Sequence, residues 1–510
     1  MNPQERGKIS AILLVFLPLV AWYVGAHRLG LAERGIGGLI KLAKLTPETP
    51  LLMVIPGVAF FVSVILVVLL ANSGKSEFGG ARFRKFLRGT QVTSQANLAR
   101  VTKDRKSNQV TIAGVPIPSD VETLHFMIEG ATGTGKSVAF REIAYMGGKR
   151  GDRLIVIDPN ADIYSKFGRS KDVLLNPYDQ RTNGWSIFNE IRADFDYQRF
   201  ARSLVGTGNS GDAEEWYAYA RLLFTEVSKK LDLLNEADIH RAFHWCCLVP
   251  VAELKAFLKG TPAESLFVGA EKALASTRFV LSTKLAAHLL MPAGKFSLRD
   301  WLDDASGGNL YITWREDMLE ALRPLNSCWV DVLCSSILSL PEESTRATWL
   351  FTDELASLDK LPSLPDLLTK GRKHDIRVVS GLQSISQVEE IYGAKAAQTL
   401  LANYRNTLAL GGSKIDATTC EHMSKSLGTH EVERDRFVRN SGRGETSYTT
   451  NPETKEERLV LASEIASLPD LTGYLAFAKD TPIARVKLTP KDFVAVNPTF
   501  VERKSIHAFS

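Results

Sequence analysis

Residues 130–137 read GATGTGKS, and no other eight letters in this chain leave it fewer folds to adopt. Gly130, Gly135, Lys136 and Ser137 match the G-x-x-x-x-G-K-[ST] spacing at every position. Gly133 and Gly135 free the backbone to aim its N–H groups at a phosphate, which side chains there would obstruct. In such a loop Lys136 contacts the β/γ-phosphates and the Ser137 hydroxyl holds Mg2+, while Ala131, Thr132, Thr134 and Val138 complete the cradle. The apolar LHFMI (124–128) predicts a strand entering the loop, and SVAFREIAYMGG (137–148) predicts a helix leaving it. That helix turns its N-terminal dipole toward the phosphates. A chance glycine-rich turn lacks such a frame, so the stretch reads as a nucleotide site.

A second element of that site belongs at the end of another buried strand. ATWLFTDEL (347–355) supplies an apolar run followed by Asp353 and Glu354. In P-loop ATPases such a pair binds Mg2+ through water (Asp353) and polarises the attacking water (Glu354). Alone this signal is weak, because many strands end in a solvated acidic turn; beside the P-loop it gains weight. A third strand, IRVVSGLQS (376–384), ends on Gln383, either a γ-phosphate sensor or an ordinary strand-end amide.

A chain of 510 residues, 45% of them hydrophobic, has core for two or three domains. Its five cysteines show no C-x-x-C spacing, which suggests reduced thiols in a cytosolic body. His240 and His244 stand one helical turn apart near Cys246, but without the glutamate of H-E-x-x-H they read as a packed helix face.

Two uncharged stretches, residues 9–26 and 51–71, are each long enough to span about 30 Å of hydrocarbon. A cleaved signal peptide is the rival for the first. Its length, and Trp22 and Tyr23 at a membrane-interface position, favour a span. From Lys75 to Lys106 nine Lys/Arg face two acids, a local +7 within a chain of +5, so the remainder sums to −2. The positive-inside rule then puts residue 72 onward, and with it both termini, in the cytoplasm, leaving 27–50 as a small outer loop. The basic run reads at least as well as a lipid anchor as a nucleic-acid contact.

Beyond residue 74, buried strands alternate with helices, which predicts a parallel sheet covered on both faces. Asp353 follows Lys136 by 217 positions, more than a compact nucleotide core needs. Residues 184–298 account for the excess, with helices expected at 212–234, 251–260 and 264–290 and apolar spacing at Ala220, Leu223, Phe224, Val227 and Leu231. The expected organisation is an anchor at 1–74, an α/β nucleotide domain at 75–183 and 299–510, and an inserted all-helical domain at 184–298. Residues 429–457, polar and rich in Gly, Ser and Thr, are expected as a surface loop or mobile hairpin.

In this order the two spans, GATGTGKS, RLIVIDPNAD, NPYDQRTNGWSIFNEI, AEEWYAYARLL, LYITWRED, LFTDELASL, LTKGRK and GLQSISQ resemble the coupling proteins of bacterial conjugation and type IV secretion. The likeness runs along nearly the whole chain. It implies an inner-membrane ATPase with a RecA-like nucleotide domain, using ATP and Mg2+ and assembling into a hexameric ring. Such a ring delivers relaxase-bound single-stranded plasmid DNA to the secretion channel, in contact with relaxosome accessory proteins and inner-membrane secretion components. The resemblance assigns Lys136 and Ser137 to the P-loop pair, Asp353 and Glu354 to the acidic pair, and Gln383 to a γ-phosphate contact. It makes Arg372 an arginine finger for the neighbouring subunit, against the rival reading of a surface cation in a solvated loop; its basic, glycine-marked turn, TKGRKHD (369–375), just before the Gln383 strand, is expected near the sheet edge where nucleotide sits. Trp216 matches an aromatic near the DNA channel, though a core aromatic on an amphipathic helix fits equally. The sequence stops at Ser510 without the long acidic tail by which some relatives grip the relaxase, which leaves the relaxase-binding surface open.

A chromosome-segregation DNA pump is expected to carry more spans, a long linker and a C-terminal winged helix. An ABC-type exporter needs about six spans and an LSGGQ-like signature, which LGGSK (410–414) is not. A non-hydrolysing membrane scaffold is the remaining alternative.

Overall fold

The computed structural model describes residues 3–32, 35–72, 83, 85–104, 108–208, 211–268, 271–342, 346–442 and 445–504. The chain divides into two compact units, residues 1–87 with 431–455, and residues 88–430 with 456–510.

In the first unit, helices Pro3–Arg28 and Pro50–Asn72 flank a shorter helix, Ile36–Leu45. Windows Ser10–Arg28 and Pro50–Val68 are long and apolar enough to cross a membrane, with mean hydropathy 1.8 and 2.9. Most of their apolar side chains are exposed, Phe61 to 71%, while Ala26 and Leu52 are buried. The two helices approach at Gly25, where an added Cβ would stand 2.8 Å from Ile55 Cδ1. Trp22 Nε1 donates to Thr46 Oγ1 at 3.1 Å. Of the basic stretch 75–106, residues 75–82, 84, 105 and 106 lie outside the described residues. The polar region expected as a loop or mobile hairpin forms two long paired strands, Thr429–Gly442 and Glu445–Arg458, with Lys85–Gly89 beside the first.

The second unit is built on a ten-stranded sheet. Reading across it, the strands are Val92–Ser94, Ile483–Lys487, Thr472–Ala476, Asn406–Leu410, Phe126–Glu129, Ile376–Leu382, Thr348–Thr352, Arg153–Pro159, Leu310–Trp314 and Val173–Leu175. From Asn406–Leu410 to Val173–Leu175 every pairing is parallel. Ile376–Leu382 and Leu310–Trp314 are buried along their whole length, which requires the near-continuous apolar runs they carry. The expectation of an all-parallel sheet fails at one edge. Thr472–Ala476 runs antiparallel to both Asn406–Leu410 and Ile483–Lys487. Only residues 477–482 join the last two strands, enough for a hairpin and too few for a parallel crossover.

The chain from 184 to 298 is helical, but in shorter pieces than periodicity predicts. Gly211–Leu233 is one helix; 251–260 shortens to Val251–Phe257, and 264–290 breaks into Pro262–Phe267, Glu271–Leu285 and His288–Leu290. Gly260 at φ +77° and Pro262 end one piece and start the next. Ala220, Leu223, Phe224, Val227 and Leu231 are all buried, on the face that their spacing predicts. They belong to one continuous apolar core with Ile155, Ile312 and Val378 of the sheet. His240 and His244 are exposed while Cys246 is buried.

Candidate active site

The P-loop leaves the strand Phe126–Glu129 and is held by backbone from both neighbouring strands. Gly130 N–H donates to Leu382 O at 3.0 Å, and Ala131 N–H donates to Gly411 O at 2.9 Å. The Thr134 hydroxyl donates to Ala131 O at 2.7 Å, and Leu471 N–H donates to Thr134 O at 2.9 Å. Gly135 has φ +118°, left-handed backbone that a side chain would strain. A Cβ on Gly130 would stand 2.6 Å from Thr134 Oγ1. Lys136 then begins the helix Lys136–Arg150. The strand–loop–helix frame is the one the sequence predicts.

Lys136 Nζ folds back onto the loop, donating to Gly130 O at 2.7 Å and to Ala131 O at 3.4 Å. Burial lowers its pKa, an effect opposed by Glu354 and Asp353. Both acids follow the strand Thr348–Thr352. Asp353 Oδ1 and Glu354 Oε1 are sealed from solvent with no hydrogen-bond partner. Burial raises both carboxyls above their usual range, Glu354 to about 7, against the pull of Lys136. Gln383 Nε2 donates to Thr132 Oγ1 at 2.5 Å, tying the end of Ile376–Leu382 to the P-loop.

Thr132, Gly133, Gly135, Lys136, Ser137 and Val138 line a cleft of about 710 Å3, with Asp353, Glu354 and Gln383 facing them. Gly130, Ala131 and Thr134 shape the loop from behind. Orphaned carboxylate oxygens across from a lysine and a side-chain-free cradle are a donor set suited to a phosphate chain with a divalent cation.

Four contributors escaped the sequence. Asp158 caps the helix Asp162–Phe167 by accepting from Ile163 N–H and Tyr164 N–H, and burial lifts its carboxyl to about 7. A Cβ on Gly381 would overlap the carbonyl oxygen of Asp353. Arg141 and Arg323 line the cleft. Of these only Gly381 left a trace, as a glycine inside a strand, where close backbone approach is a common cause.

Arg372 is elsewhere. It is exposed in the turn Gly371–His374 that precedes Ile376–Leu382, whereas Gln383 and the P-loop lie past the other end of that strand. At about 3.3 Å per residue, seven strand residues put more than ~20 Å between Arg372 and its own P-loop. The turn therefore lies at the opposite end of the strand from the nucleotide cleft, not near the sheet edge where the nucleotide sits. Trp216 is half-buried on Gly211–Leu233, edge-to-face with Tyr219 at 6.0 Å, and is not part of the cleft.

Residues 109–489 match the family model described as the type IV secretion-system coupling protein DNA-binding domain. A solved structure of plasmid coupling protein TrwB in complex with ADP and Mg2+ superposes with TM-score 0.79 at 56% identity, covering 84% of this chain and 100% of that one. TrwB in complex with the non-hydrolysable ATP analogue ADPNP gives the same values. Coupling protein TraD of Escherichia coli (strain K12) is 29% identical over 430 residues, 81% of this chain and 60% of TraD. The chain thus spans less than two thirds of that relative. With a matched P-loop, paired acids and a match over most of its length, the chain belongs to the type IV secretion-system coupling protein family.

Proposed function

We propose that the chain is a membrane-anchored ATPase that couples the relaxosome to a type IV secretion channel. It drives or licenses the transfer of relaxase-bound single-stranded plasmid DNA in conjugation. The observation that carries this reading is the pair of unpartnered carboxylate oxygens on Asp353 and Glu354 facing Lys136 across a glycine-built loop. The complexes of TrwB with ADP and Mg2+ and with ADPNP support ATP and Mg2+ as its ligands.

Lys136 exchanges the carbonyls of Gly130 and Ala131 for the β/γ-phosphates. Ser137 and Asp353 would hold the cation, and bound Mg2+ would supply positive charge beside the phosphates. Glu354 accepts a hydrogen bond from the attacking water, a task suited to a carboxyl whose pKa burial has raised toward neutrality. Gln383, already tethered to Thr132, senses the γ-phosphate. Arg372, remote from its own P-loop, serves the neighbouring subunit's site in a hexameric ring, and Trp216 lies along the DNA path. Residues 1–74 anchor the protein in the bacterial inner membrane, with both termini and the main body in the cytoplasm. Residues 75–183 and 299–510 form the RecA-like domain and 184–298 the helical one.

The test is turnover and plasmid transfer in three proteins. Wild type hydrolyses ATP, and single-stranded DNA accelerates it. Lys136→Ala weakens nucleotide binding and abolishes turnover. Glu354→Gln binds ATP and stalls, because only the water-polarising group is lost; neither variant transfers plasmid. Normal hydrolysis by Glu354→Gln removes that residue from the mechanism, and a wild type that binds ATP without turnover is a scaffold.

A further inference from the structure

A second cavity of about 530 Å3 adjoins the nucleotide cleft. The two share Arg323, Ala356 and Gln387. Ala356 lies two residues past Glu354, and Gln387, on the helix Ile385–Tyr392, four residues past Gln383. The shared wall is therefore beside the water-polarising acid and the Gln383 latch, at the end of the cleft where the terminal phosphate belongs. The far side of the second cavity is formed by Val205, Tyr217 and Lys284 of the helical insert.

Arg323 stands in that wall, in the second turn of the helix Leu319–Ile337. Its Nε is buried without a partner. Its Nη2 donates to Glu320 at 3.2 Å, and the Glu320 side chain is 90% exposed, so that pair holds it weakly. The cleft's other guanidinium, Arg141, is already engaged with Ser137 O at 3.1 Å and Asp162 at 3.6 Å. A half-satisfied guanidinium at the phosphate end of a nucleotide cleft is an anion ligand in waiting, since its planar fork matches phosphate oxygens.

We propose that Arg323 contacts the terminal phosphate of bound ATP from within its own chain, a cis cation separate from Arg372. This rests on the ATPase reading above. Because the same guanidinium borders the second cavity, its move toward the phosphate withdraws it from the wall facing the helical insert. The nucleotide's length is thereby registered where the insert faces Leu358, Asp359 and the helix Ile385–Tyr392.

The experiment measures affinities of the full-length protein in detergent for ADP and ADPNP, by calorimetry, in wild type, Arg323→Gln and Arg323→Lys. Arg323→Gln is expected to weaken ADPNP about tenfold, the loss typical of one charge-assisted hydrogen bond, with ADP changed less than about twofold. Arg323→Lys recovers part of that loss, because the charge returns without the fork. Equal loss for both nucleotides, or no loss for either, overturns the proposal; the lysine variant decides if the glutamine variant fails to fold. Wild type that binds neither nucleotide refutes the ATPase reading itself, a result distinct from either outcome at Arg323.

Discussion

The carbonyl oxygen of Asp353 occupies the space a side chain on Gly381 would need, so the acid that faces the P-loop is positioned by a glycine on the next strand. Backbone, not a flexible side-chain end, sets the clash. Gly381→Ala should cost about 1–3 kcal/mol, as overpacking does, and displace Asp353 enough to reduce turnover. Gly148→Ala is the control, because its added Cβ meets only Leu154 Cδ1, at 3.7 Å, and a helical alanine is favourable. Thermal denaturation of the two variants should move in opposite directions; equal melting temperatures would show that the strand yields.

His125, at the root of the P-loop strand, sets an acid limit on stability. Its Nδ1 accepts from Val378 N–H at 3.1 Å and its Nε2 donates to Leu368 O at 3.0 Å, which fixes the neutral tautomer. Burial lowers its pKa from 6.5 to about 4. The unfolded chain therefore takes up a proton at this residue that the folded chain refuses. Stability is whole above about 6.5 and declines as pH falls toward about 4, by at most on the order of 3 kcal/mol. Urea unfolding across that range should show a shallower acid slope in His125→Gln than in wild type; identical slopes would assign the loss to other groups.

Arg372 tests whether sites are shared between subunits. Arg372→Ala alone and Lys136→Ala alone should each be inactive as assembled rings. Mixed rings should regain part of the DNA-stimulated turnover, because some interfaces pair an intact P-loop with an intact arginine. An arginine supplied from outside is worth roughly 10³–10⁵ in rate. Full activity in Arg372→Ala, or no recovery in rings proven to be mixed, would remove it from the site.

The +7 flank from Lys75 to Lys106 predicts topology. A reporter fused after residue 40 should score outside the cytoplasm, and one after residue 75 inside. Mature protein lacking its first span would mean that residues 9–26 are a signal peptide.

How much of this was legible follows from which constraints are local. GATGTGKS and Asp353-Glu354 were readable because phosphate and cation chemistry admits few residue types at those spacings. The apolar face from Ala220 to Leu231 was readable because 3.6-residue periodicity needs no partner. Arg372 was misplaced because proximity in sequence to a strand says nothing about which end of that strand meets the nucleotide. Strand direction comes from pairing with Phe126–Glu129, a contact spanning some 250 residues. The antiparallel edge at Thr472–Ala476 escaped for the same reason, since an apolar strand carries no mark of its partner's direction. Arg323 was invisible because a cation in a helix is ordinary until its surroundings are known.

The hydrogen bonds that clasp the P-loop also join parts of the chain made far apart in time during synthesis. Residues 130–134 close on Leu382, Gly411 and Leu471, and Gly135 is packed by Leu471 and Leu488. A loop encoded in the first third of the chain therefore waits for strands made hundreds of residues later, and contacts of such separation form slowly. During synthesis the N-terminal hydrophobic helices emerge long before the nucleotide pocket has its walls. A nascent chain thus exposes its apolar N-terminal helices while the loop at 130–137 still lacks the strands that hold it in shape.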